Sequence, residues 1–248
     1  MTYKIVVPIS GGKDSQACLK LALLHHLPDD ILGLFCDTKF EHPDTYAHVL
    51  RIANLYDVKI VTVNGGDVLS ECERYRRFPG GGARHCTDTL KIRESRIFYK
   101  AMAEAQGGFE VWYGMRSEES SDRKLRYLEK LPQDLYCPHE IMPRKYPKYL
   151  GKMGVRFRLP ILDWGKGDVF ELLNGEEHPH YAEGFDRVDC FPCLMANDKH
   201  KAKAFAYDEF GAQQRDRVMD LSRLIGKSVW TSKAGIAEHG GGCLICSI

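Results

Sequence analysis

A glycine-rich run near the start of the chain constrains the fold more than any other feature. It consists of Ser10, Gly11, Gly12, Lys13, Asp14 and Ser15. The apolar run at 3–9 predicts a buried strand before it, and the apolar spacing in 16–26 predicts a helix after it. Paired glycines let the backbone turn sharply, and the amides at the start of a helix favour an anion. The run therefore predicts a phosphate-binding turn, to which its lysine adds a cation and its serines add hydroxyl donors.

The common P-loop of nucleoside triphosphatases has a different spacing. It needs glycine five residues before the Gly-Lys pair and serine or threonine directly after the lysine, but Val7 and Asp14 occupy those positions. The run instead resembles the pyrophosphate loop, SGGxDS, of the adenine nucleotide alpha-hydrolases, which include the ATP pyrophosphatases and the phosphoadenosine phosphosulfate (PAPS) reductase family. The resemblance implies an ATP site in which Lys13 and Asp14 act catalytically, while the loop amides and Mg²⁺ hold the departing pyrophosphate.

The composition is that of an ordinary globular protein. The chain has 248 residues, of which 44% are hydrophobic and 28% charged, so one large domain, alone or with a small appendage, can bury a core. The net charge of +1 creates no overall field for a polyanion. No run of 18 apolar residues occurs, so we expect a cytoplasmic protein with no membrane partner. The sequence leaves the oligomeric state open.

Alternating strand and helix patterns predict the fold class. Strands are expected at 3–9, 31–37, 58–63, 109–115 and in a stretch that ends at 158–164. Because helices separate them, they should form a doubly wound α/β fold with a mainly parallel five-stranded sheet, similar to that of the adenine nucleotide alpha-hydrolases. We expect residues 1–173 to form the nucleotide-binding domain and residues 174–248 to form a small helical segment that carries two Cys-x-x-Cys pairs.

A site is expected at the carboxyl ends of these strands. Asp37 ends the second predicted strand, and the resemblance implies that it contacts the nucleotide or Mg²⁺, whereas a helix-capping role is the alternative. Residues 64–86 are rich in glycine and arginine, and we expect them to form a long mobile lid over the nucleotide. A helix should follow from Cys86 to about Gln106, capped by Asp88 or Thr89.

The fourth predicted strand leads into a motif with two arginines. The motif residues with predicted roles are Gly114, Arg116, Glu119, Ser120 and Arg123. Arginine clamps phosphate or sulfate in a bidentate manner, and nearby carboxylates orient it; a solvated, salt-bridged loop is the alternative. The pattern Gly-x-Arg-x-x-Glu-Ser-x-x-Arg resembles the second signature of the PAPS reductase family, which implies phosphate contacts by Arg116 and Arg123. Further similar segments, including His-Pro-x-Tyr at 178–181, extend the resemblance from Tyr3 to Cys193.

A basic stretch follows at 144–158. Between Ile141 and Leu162 there are six basic residues and no acidic ones, interleaved with Tyr146, Tyr149 and Phe157. Basic side chains mixed with aromatic rings are typical of nucleic-acid surfaces, although a charge run is often only a solvated face. The stretch is our candidate site for a nucleic-acid acceptor.

The cysteines are spaced for metal binding or thiol chemistry. Nine cysteines are present, and Cys190 pairs with Cys193 and Cys243 with Cys246 in two Cys-x-x-Cys motifs. Such pairs suit a four-thiolate zinc site, an iron-sulfur cluster or a redox dithiol. In sulfonucleotide reductases with a 4Fe-4S cluster, a tandem Cys-Cys near the position of Cys86 joins a later Cys-x-x-Cys.

Here the tandem is His85-Cys86, so the resemblance supplies three ligands of a 4Fe-4S cluster, Cys86, Cys190 and Cys193, and the fourth would be Cys243 or Cys246. We favour a cluster over zinc. The reductases also end in Glu-Cys-Gly-x-His, whose cysteine attacks the sulfonucleotide. Cysteines are present near the end of this chain but that motif is not, which argues against reductase activity.

Three functions follow from the resemblance. The leading hypothesis is an ATP pyrophosphatase that adenylates an acceptor, after which a sulfur held by a cysteine or a cluster displaces AMP, as in DNA phosphorothioation and RNA thiolation. It needs a sulfur donor. The second is reduction of adenylyl sulfate or PAPS to sulfite by Cys243 or Cys246, with a thioredoxin-like reductant. The third is a nucleotide-binding regulatory module without turnover.

Overall fold

A computed structural model describes residues 2–80 and 83–232. Its five strands form one sheet in the order β3-β2-β1-β4-β5. The strands are β1 Ile5–Ile9, β2 Ile31–Asp37, β3 Lys59–Asn64, β4 Glu110–Trp112 and β5 Arg156–Arg158. β1 pairs in parallel with β2 and β4, and β4 pairs in parallel with β5. The expected doubly wound α/β fold with a parallel five-stranded sheet is confirmed.

Ten α-helices occur among the described residues. They are α1 Lys13–Leu23, α2 Pro43–Leu55, α3 Val68–Arg74, α4 Arg93–Gln106, α5 Ser121–Arg126, α6 Pro138–Ile141, α7 Lys148–Lys152, α8 Lys166–Leu173, α9 Asp198–Phe205 and α10 Glu209–Ile225. A π-helical turn, Thr87–Ile92, leads into α4. Thr89 Oγ1 donates to the His85 carbonyl at 2.8 Å, so the expected cap at Asp88 or Thr89 is wrong: the helical turn begins before them. None of the described helices is long and apolar enough to cross a membrane.

The chain packs as two compact units. Among the described residues, the first contains 2–36, 44–64 and 92–188, and the second contains 37–43, 65–80, 83–91 and 189–232. Both units are discontinuous in sequence. The boundary expected after residue 173 falls inside the first unit, because Glu176 accepts hydrogen bonds from Lys20 and Tyr56 of that unit at 2.7 and 2.6 Å.

The first unit buries the sheet between two apolar layers. One layer joins Ile5, Val7 and Ile9 of β1 to residues of α1 and α8, and the other joins Val6 of β1 to Tyr99 of α4. Alternate residues of a strand face opposite sides, so a central strand that is covered on both sides is apolar throughout. This two-sided burial fixes the end of β1, and with it the position of the glycine-rich run.

The second unit has its own apolar core, which joins Leu69 of α3, Phe205 of α9 and Leu221 of α10. The stretch 64–86, expected as one long loop, contains the helix α3, and its role as a mobile lid over the nucleotide stays a prediction. Asp67 caps this helix by accepting from the amides of Leu69 and Ser70. The local apolar pattern of α3 is only two turns long, and its burial depends on α10, which is distant in sequence.

Candidate active site

Both glycines of the run are required by close neighbours. Gly11 has a φ of 79°, and a Cβ there would lie 2.6 Å from Cγ2 of Thr45. A Cβ on Gly12 would lie 2.8 Å from the carbonyl oxygen of Val188. A side chain at either position would displace the chain, so the turn between β1 and α1 needs glycine twice.

The two serines of the run shape the turn. Ser15 Oγ donates to the carbonyl of Gly12 at 2.8 Å and accepts from the amide of Ser10 at 3.2 Å. The Gly12 amide lies 3.3 Å from Ser10 Oγ, its acceptor. Gly12 is the N-cap of α1 and makes no side-chain cap, so the side chain of the cap residue leaves the first amides of α1 uncovered. The hydroxyls predicted as phosphate donors are engaged in this scaffold.

Lys13 is one of two buried cations of the site. Its residue is 5% exposed, and its Nζ lies 3.1 Å from Oδ2 of Asp14. Burial lowers the pKa of Lys13, and the carboxylate of Asp14 opposes that change. The ammonium is therefore poorly solvated and depends on a nearby anion for its stability.

Arg116 is joined to the glycine-rich run by the same carboxylate. Its Nε donates to Oδ1 of Asp14 at 2.7 Å, and its Nη1 donates to Oε2 of Glu118 at 2.6 Å. Glu118 Oε2 also accepts from the amide of Lys166 at 2.7 Å. Lys13, Asp14, Arg116 and Glu118 thus form one chain of ion pairs, in which two cations alternate with two anions.

Gly114 lets the second motif approach the first. A Cβ at this position would lie 2.6 Å from the carbonyl oxygen of Asp14 and 3.0 Å from the amide nitrogen of Ser15. Both neighbours are backbone atoms, which cannot rotate away. Glycine after β4 is therefore needed for the contact between Arg116 and the run.

The remaining residues of the second motif bond to one another. Arg123 forms an ion pair with Glu119, and its amide donates to Oγ of Ser120 at 3.2 Å, which caps α5. Glu119 Oε2 accepts from the amide of Arg116 at 3.2 Å. Arg116 lies at the glycine-rich run, whereas Arg123 belongs to this local cap. The phosphate contact predicted for Arg123 stays a prediction.

Asp37 lies in the second unit and orders its own loop. Its Oδ1 accepts from the amide of Lys39 at 2.8 Å, and its Oδ2 pairs with Nζ of Lys39 at 2.7 Å. Since α2 begins at Pro43, Asp37 is not a helix cap. Its role as a nucleotide or Mg²⁺ contact stays a prediction.

Three predicted metal ligands lie in the second unit around Lys91. Cys86 and Cys190 pack against the same apolar core, and Cys193 follows Cys190 after a cis Phe191-Pro192 bond. Burial raises the pKa of the Cys190 thiol, and Lys91 opposes the rise. Burial raises the pKa of Cys86 as well. Cys243 and Cys246 lie outside the described residues.

Among the described residues, the thiols do not belong to a close group of three metal-ligating side chains. With Zn–S bonds of about 2.3 Å, the sulfurs of a tetrahedral site lie about 3.8 Å apart. Within 2–80 and 83–232, no cysteine belongs to a group of three metal-ligating side chains with ligand atoms within 4.8 Å of one another. Thiolates are ligands of both iron-sulfur clusters and structural zinc, so the donor set fits either group, and the choice between them stays a prediction.

The ring of His85 packs on an aromatic neighbour. Its ring stacks on Tyr75 with centroids 4.7 Å apart, and neither ring nitrogen has a hydrogen-bond partner among the described residues. Burial lowers the pKa of His85, with Arg77 as the next cause. The histidine that replaces the first tandem cysteine thus packs against the end of α3.

The basic stretch at 144–158 provides a smaller surface than its sequence indicates. Tyr146 and Phe157 are buried in the core, so the expectation that they stack on bases is wrong. Arg158 pairs with Glu110 at 3.0 Å. The exposed basic and aromatic residues that remain are Arg144, Lys148, Tyr149 and Lys152.

Glu118 and Tyr181 contact the site but were not predicted to have a role there. Glu118 neighbours the predicted Glu119, and spacing alone does not decide which of two adjacent carboxylates turns to Arg116. Tyr181 accepts a hydrogen bond from the Lys13 amide at 3.1 Å. The His-Pro-x-Tyr segment was the only sequence signal for Tyr181.

Comparisons with known proteins agree with the motifs. Residues 4–196 match the family model of the phosphoadenosine phosphosulfate reductase domain. An uncharacterized protein of Methanocaldococcus jannaschii is 28% identical over 192 residues, which cover 76% of this chain and 36% of that protein. The chain thus spans about a third of the length of this relative. A phosphoadenosine 5'-phosphosulfate reductase of Salmonella typhi is 22% identical over 223 residues, which cover 88% of this chain and 78% of that one. The U34-tRNA thiolase NcsA of Methanococcus maripaludis, solved with its 4Fe-4S cluster, has a TM-score of 0.48 at 14% identity and covers 100% of this chain and 81% of that chain.

Proposed function

The chain belongs to the phosphoadenosine phosphosulfate reductase domain family, and on that premise we propose that it is an ATP pyrophosphatase that adenylates an acceptor for sulfur transfer. Membership supports adenine-nucleotide chemistry in sulfur metabolism. The proposal is narrower, because it names ATP as the nucleotide and a nucleic acid as the acceptor. The observation that carries it is the chain of ion pairs from Lys13 through Asp14 and Arg116 to Glu118.

The charges of this chain of ion pairs favour a metal-bound polyphosphate. Two cations and two carboxylates balance, so a bare polyanion would gain little net charge attraction from them. Mg²⁺ prefers carboxylate and phosphate oxygens as ligands, and Asp14 and Glu118 supply carboxylate oxygens beside the helix-terminal amides. Lys13 and Arg116 would then bind the phosphate oxygens that Mg²⁺ does not cover.

Negative charge develops on the leaving group during the proposed reaction. An acceptor oxygen bonds to the α-phosphorus of ATP, the bond between the α- and β-phosphates breaks, and pyrophosphate leaves with the electrons of that bond. Lys13, Arg116 and the amides at the start of α1 are preorganised to stabilise the negative charge on pyrophosphate. A sulfide-level sulfur nucleophile, supplied by a sulfur donor, then attacks the acceptor atom that bears the adenylated oxygen; the bond between that atom and the oxygen breaks, and AMP leaves with its electrons.

We assign the sulfur chemistry to the cysteines. Cys86, Cys190 and Cys193 would hold a 4Fe-4S cluster with Cys243 or Cys246 as the fourth ligand, and zinc is the alternative. When bound, a cluster supplies a metal site that can carry the transferred sulfur. Lys91 supports this assignment: burial would lower its pKa, but nearby acidic groups, Asp189 and Glu41 among them, raise it, so Lys91 would supply a positive charge beside cluster-bound thiolates.

Reduction of PAPS or adenylyl sulfate is the second candidate. The similarity to the Salmonella typhi reductase favours it. It would require attack by Cys243 or Cys246 and a thioredoxin-like reductant, and it would leave ATP unused. A third possibility is a regulatory module that binds nucleotide without turnover.

The test uses protein purified without oxygen. One sample receives ATP and Mg²⁺ with and without tRNA or DNA, and another receives adenylyl sulfate or PAPS with a dithiol. AMP, pyrophosphate and sulfite are measured in each. We expect AMP and pyrophosphate from ATP, increased by the nucleic acid. Sulfite with ATP untouched would replace the proposal with the reductase, and tight ATP binding without product would favour the regulatory module.

Variants assign each product to its site. Lys13→Ala should abolish pyrophosphate release, while Lys4→Ala, at an exposed pair with Asp30, should leave it unchanged. Cys190→Ser should remove the visible absorbance of a cluster. A triple variant of Arg144, Lys148 and Lys152 to alanine should weaken nucleic-acid binding and keep basal ATP cleavage; unchanged binding would exclude that surface.

A further inference from the structure

We propose that Tyr181 is a positioning residue for the bound pyrophosphate, acting through its hydroxyl at the first amide of α1. This inference rests on the proposed function of the glycine-rich run as a pyrophosphate site. It adds a phenol to a set of contacts otherwise made by charged side chains and backbone amides. Tyr181 and the residues it contacts all belong to the first unit.

The hydroxyl of Tyr181 lies where an anion oxygen would be expected. It accepts from the Lys13 amide at 3.1 Å, and Lys13 is the first residue of α1. The amides of a first helical turn have no partner within the helix, which is why helix starts bind anions. Because the N-cap Gly12 offers no side chain, the phenol performs the capping that a serine or aspartate ordinarily performs.

The phenol is held against the run on several sides. Nζ of Lys13 lies 5.4 Å from the centre of the Tyr181 ring, which is a cation–π distance. A Cβ on Gly12 would lie 3.4 Å from the hydroxyl oxygen, so the phenol passes directly beside the glycine. Phe170 packs edge-on against the ring at 5.5 Å. The position of the hydroxyl is therefore set before any ligand binds.

Two buried histidines fix the turn that carries Tyr181. The turn is Pro179–Tyr181, and His178 and His180 are 0% and 2% exposed. The amide of His180 donates to Nδ1 of His178 at 3.1 Å, and Nε2 of His180 lies 3.0 Å from Oδ2 of Asp44. A phenol on such a support keeps its place when the substrate arrives, as a positioning role requires.

A phenol can satisfy the amide and the substrate together. Its oxygen accepts from the Lys13 amide, and its own O–H donates to a further acceptor. A non-bridging oxygen of pyrophosphate is a strong charged acceptor, and hydrogen bonds to charged groups are worth more than neutral ones. The assigned contact is therefore Tyr181 O–H to a phosphate oxygen of pyrophosphate or of the β- and γ-phosphates of ATP.

The test compares the binding of inorganic pyrophosphate, in the presence of Mg²⁺, to the wild type and to Tyr181→Phe by calorimetry. The variant keeps the ring, its packing and its contact with Lys13, and removes only the hydroxyl. We expect roughly tenfold weaker binding, the effect of losing one hydrogen bond to a charged group. In ATP cleavage, KM should rise by a similar factor while kcat stays close to that of the wild type, because the contact is made before the reaction begins.

Two controls separate the possible failures. Phe170→Leu disturbs the packing of the Tyr181 ring but keeps its hydroxyl, so the affinity for pyrophosphate should stay within about twofold of the wild type. A loss of affinity as large as that of Tyr181→Phe would show that the phenol acts only through packing, and it would overturn the proposal. Equal or tighter binding by Tyr181→Phe would also overturn it. If the wild type itself fails to bind pyrophosphate in a manner that depends on Lys13, the proposed function fails, and the Tyr181 assignment fails with it.

Discussion

Arg116 and Asp14 are joined by a hydrogen bond of 2.7 Å between Nε and Oδ1, although 102 positions separate them in the sequence. The other oxygen of Asp14 binds Lys13 at 3.1 Å. One carboxylate therefore neutralises two buried cations, one from each sequence motif. On the proposed function, a bound polyphosphate would compete with Asp14 for the same two cations, so we expect this aspartate to lower the affinity for bare anions.

Asp14→Asn should destabilise the protein and tighten its binding of bare anions. Lys13 and Arg116 are each 5% exposed, so loss of their shared charge should cost about 3 kcal/mol of unfolding free energy. In magnesium-free buffer, pyrophosphate should raise the melting temperature of the variant more than that of the wild type. Asp122→Asn changes an exposed residue in the first turn of α5, so it should alter neither the free energy of unfolding nor the effect of pyrophosphate on the melting temperature. If pyrophosphate raised the melting temperature of Asp14→Asn less than that of the wild type, the proposed competition between Asp14 and the anion would be contradicted.

Gly114→Ala should weaken pyrophosphate binding at least tenfold. The new Cβ would meet the backbone of Asp14 at 2.6 Å, and overpacking of this kind costs about 1–3 kcal/mol. Calorimetry with pyrophosphate and thermal unfolding measure the two effects. Gly167→Ala is the matched control, because no atom lies within 4 Å of its Cβ and it sits in α8. Alanine is the better helix former, so this control should stabilise by up to about 1 kcal/mol.

The stability of the protein should decrease as the pH falls from 6.5 towards 4, in part because of His48. Burial, followed by the charge of Arg51, lowers the pKa of His48 from 6.5 to about 4. His48 accepts from Arg51 at Nδ1 and contacts Gln16 through Nε2 at 3.0 Å, which suits a neutral ring. As the pH falls, the unfolded chain therefore binds a proton at this histidine before the folded chain does. The neutral ring contributes about 3 kcal/mol to the free energy of unfolding above pH 6.5, and this contribution is lost as the pH falls to 4.

His48→Gln tests this dependence. Glutamine does not titrate, so the fall in unfolding free energy between pH 6.5 and pH 4 should become shallower by a similar amount. Urea unfolding at a series of pH values measures it. His25→Gln, at an exposed position after α1, should keep the wild-type slope. An equally steep slope in both variants would exclude His48 as the cause.

Asp198→Asn should destabilise the second unit. Asp198 pairs with Nζ of Lys201 at 2.8 Å, and Lys201 is fully buried. The carboxylate also accepts from the amides of Thr231 and Ser232. Breaking a buried pair from one side costs about 3–5 kcal/mol, because the remaining charge is left without its counterion. Thermal unfolding should show a loss of this order, whereas Asp220→Asn, at an exposed pair with Arg223, should change stability by less than about 1 kcal/mol.

Acid should weaken the pairing of Asp198 with Lys201. Burial raises the pKa of Asp198, but its hydrogen bonds to Lys201 and Ser232 more than offset this, so the pKa lies below its usual value of 3.8. The stabilisation is therefore complete above pH 3.8 and is lost as the pH falls through the lower folded value. The acid limb of unfolding should be shallower in Asp198→Asn than in the wild type.

The sequence alone determined the family, the fold class and the glycine-rich turn. These depend on local signals: the apolar runs that form β1 and β2, and glycines that only a tight turn and a close approach require. Short elements were harder to predict. The two-turn helix α3 was not expected, because its burial against α10 comes from residues about 150 positions away.

Only the tertiary structure decided which charges meet. From the sequence, Arg116 and Arg123 were equivalent candidates, yet Arg116 reaches Asp14 and Arg123 pairs with Glu119. Tyr146 and Phe157 look like surface aromatics in a basic stretch, but both are core residues. Periodicity and spacing along a chain report which residues share a strand or a helix face. The direction of a loop side chain depends on neighbours that are distant in sequence, and packing alone brings those together.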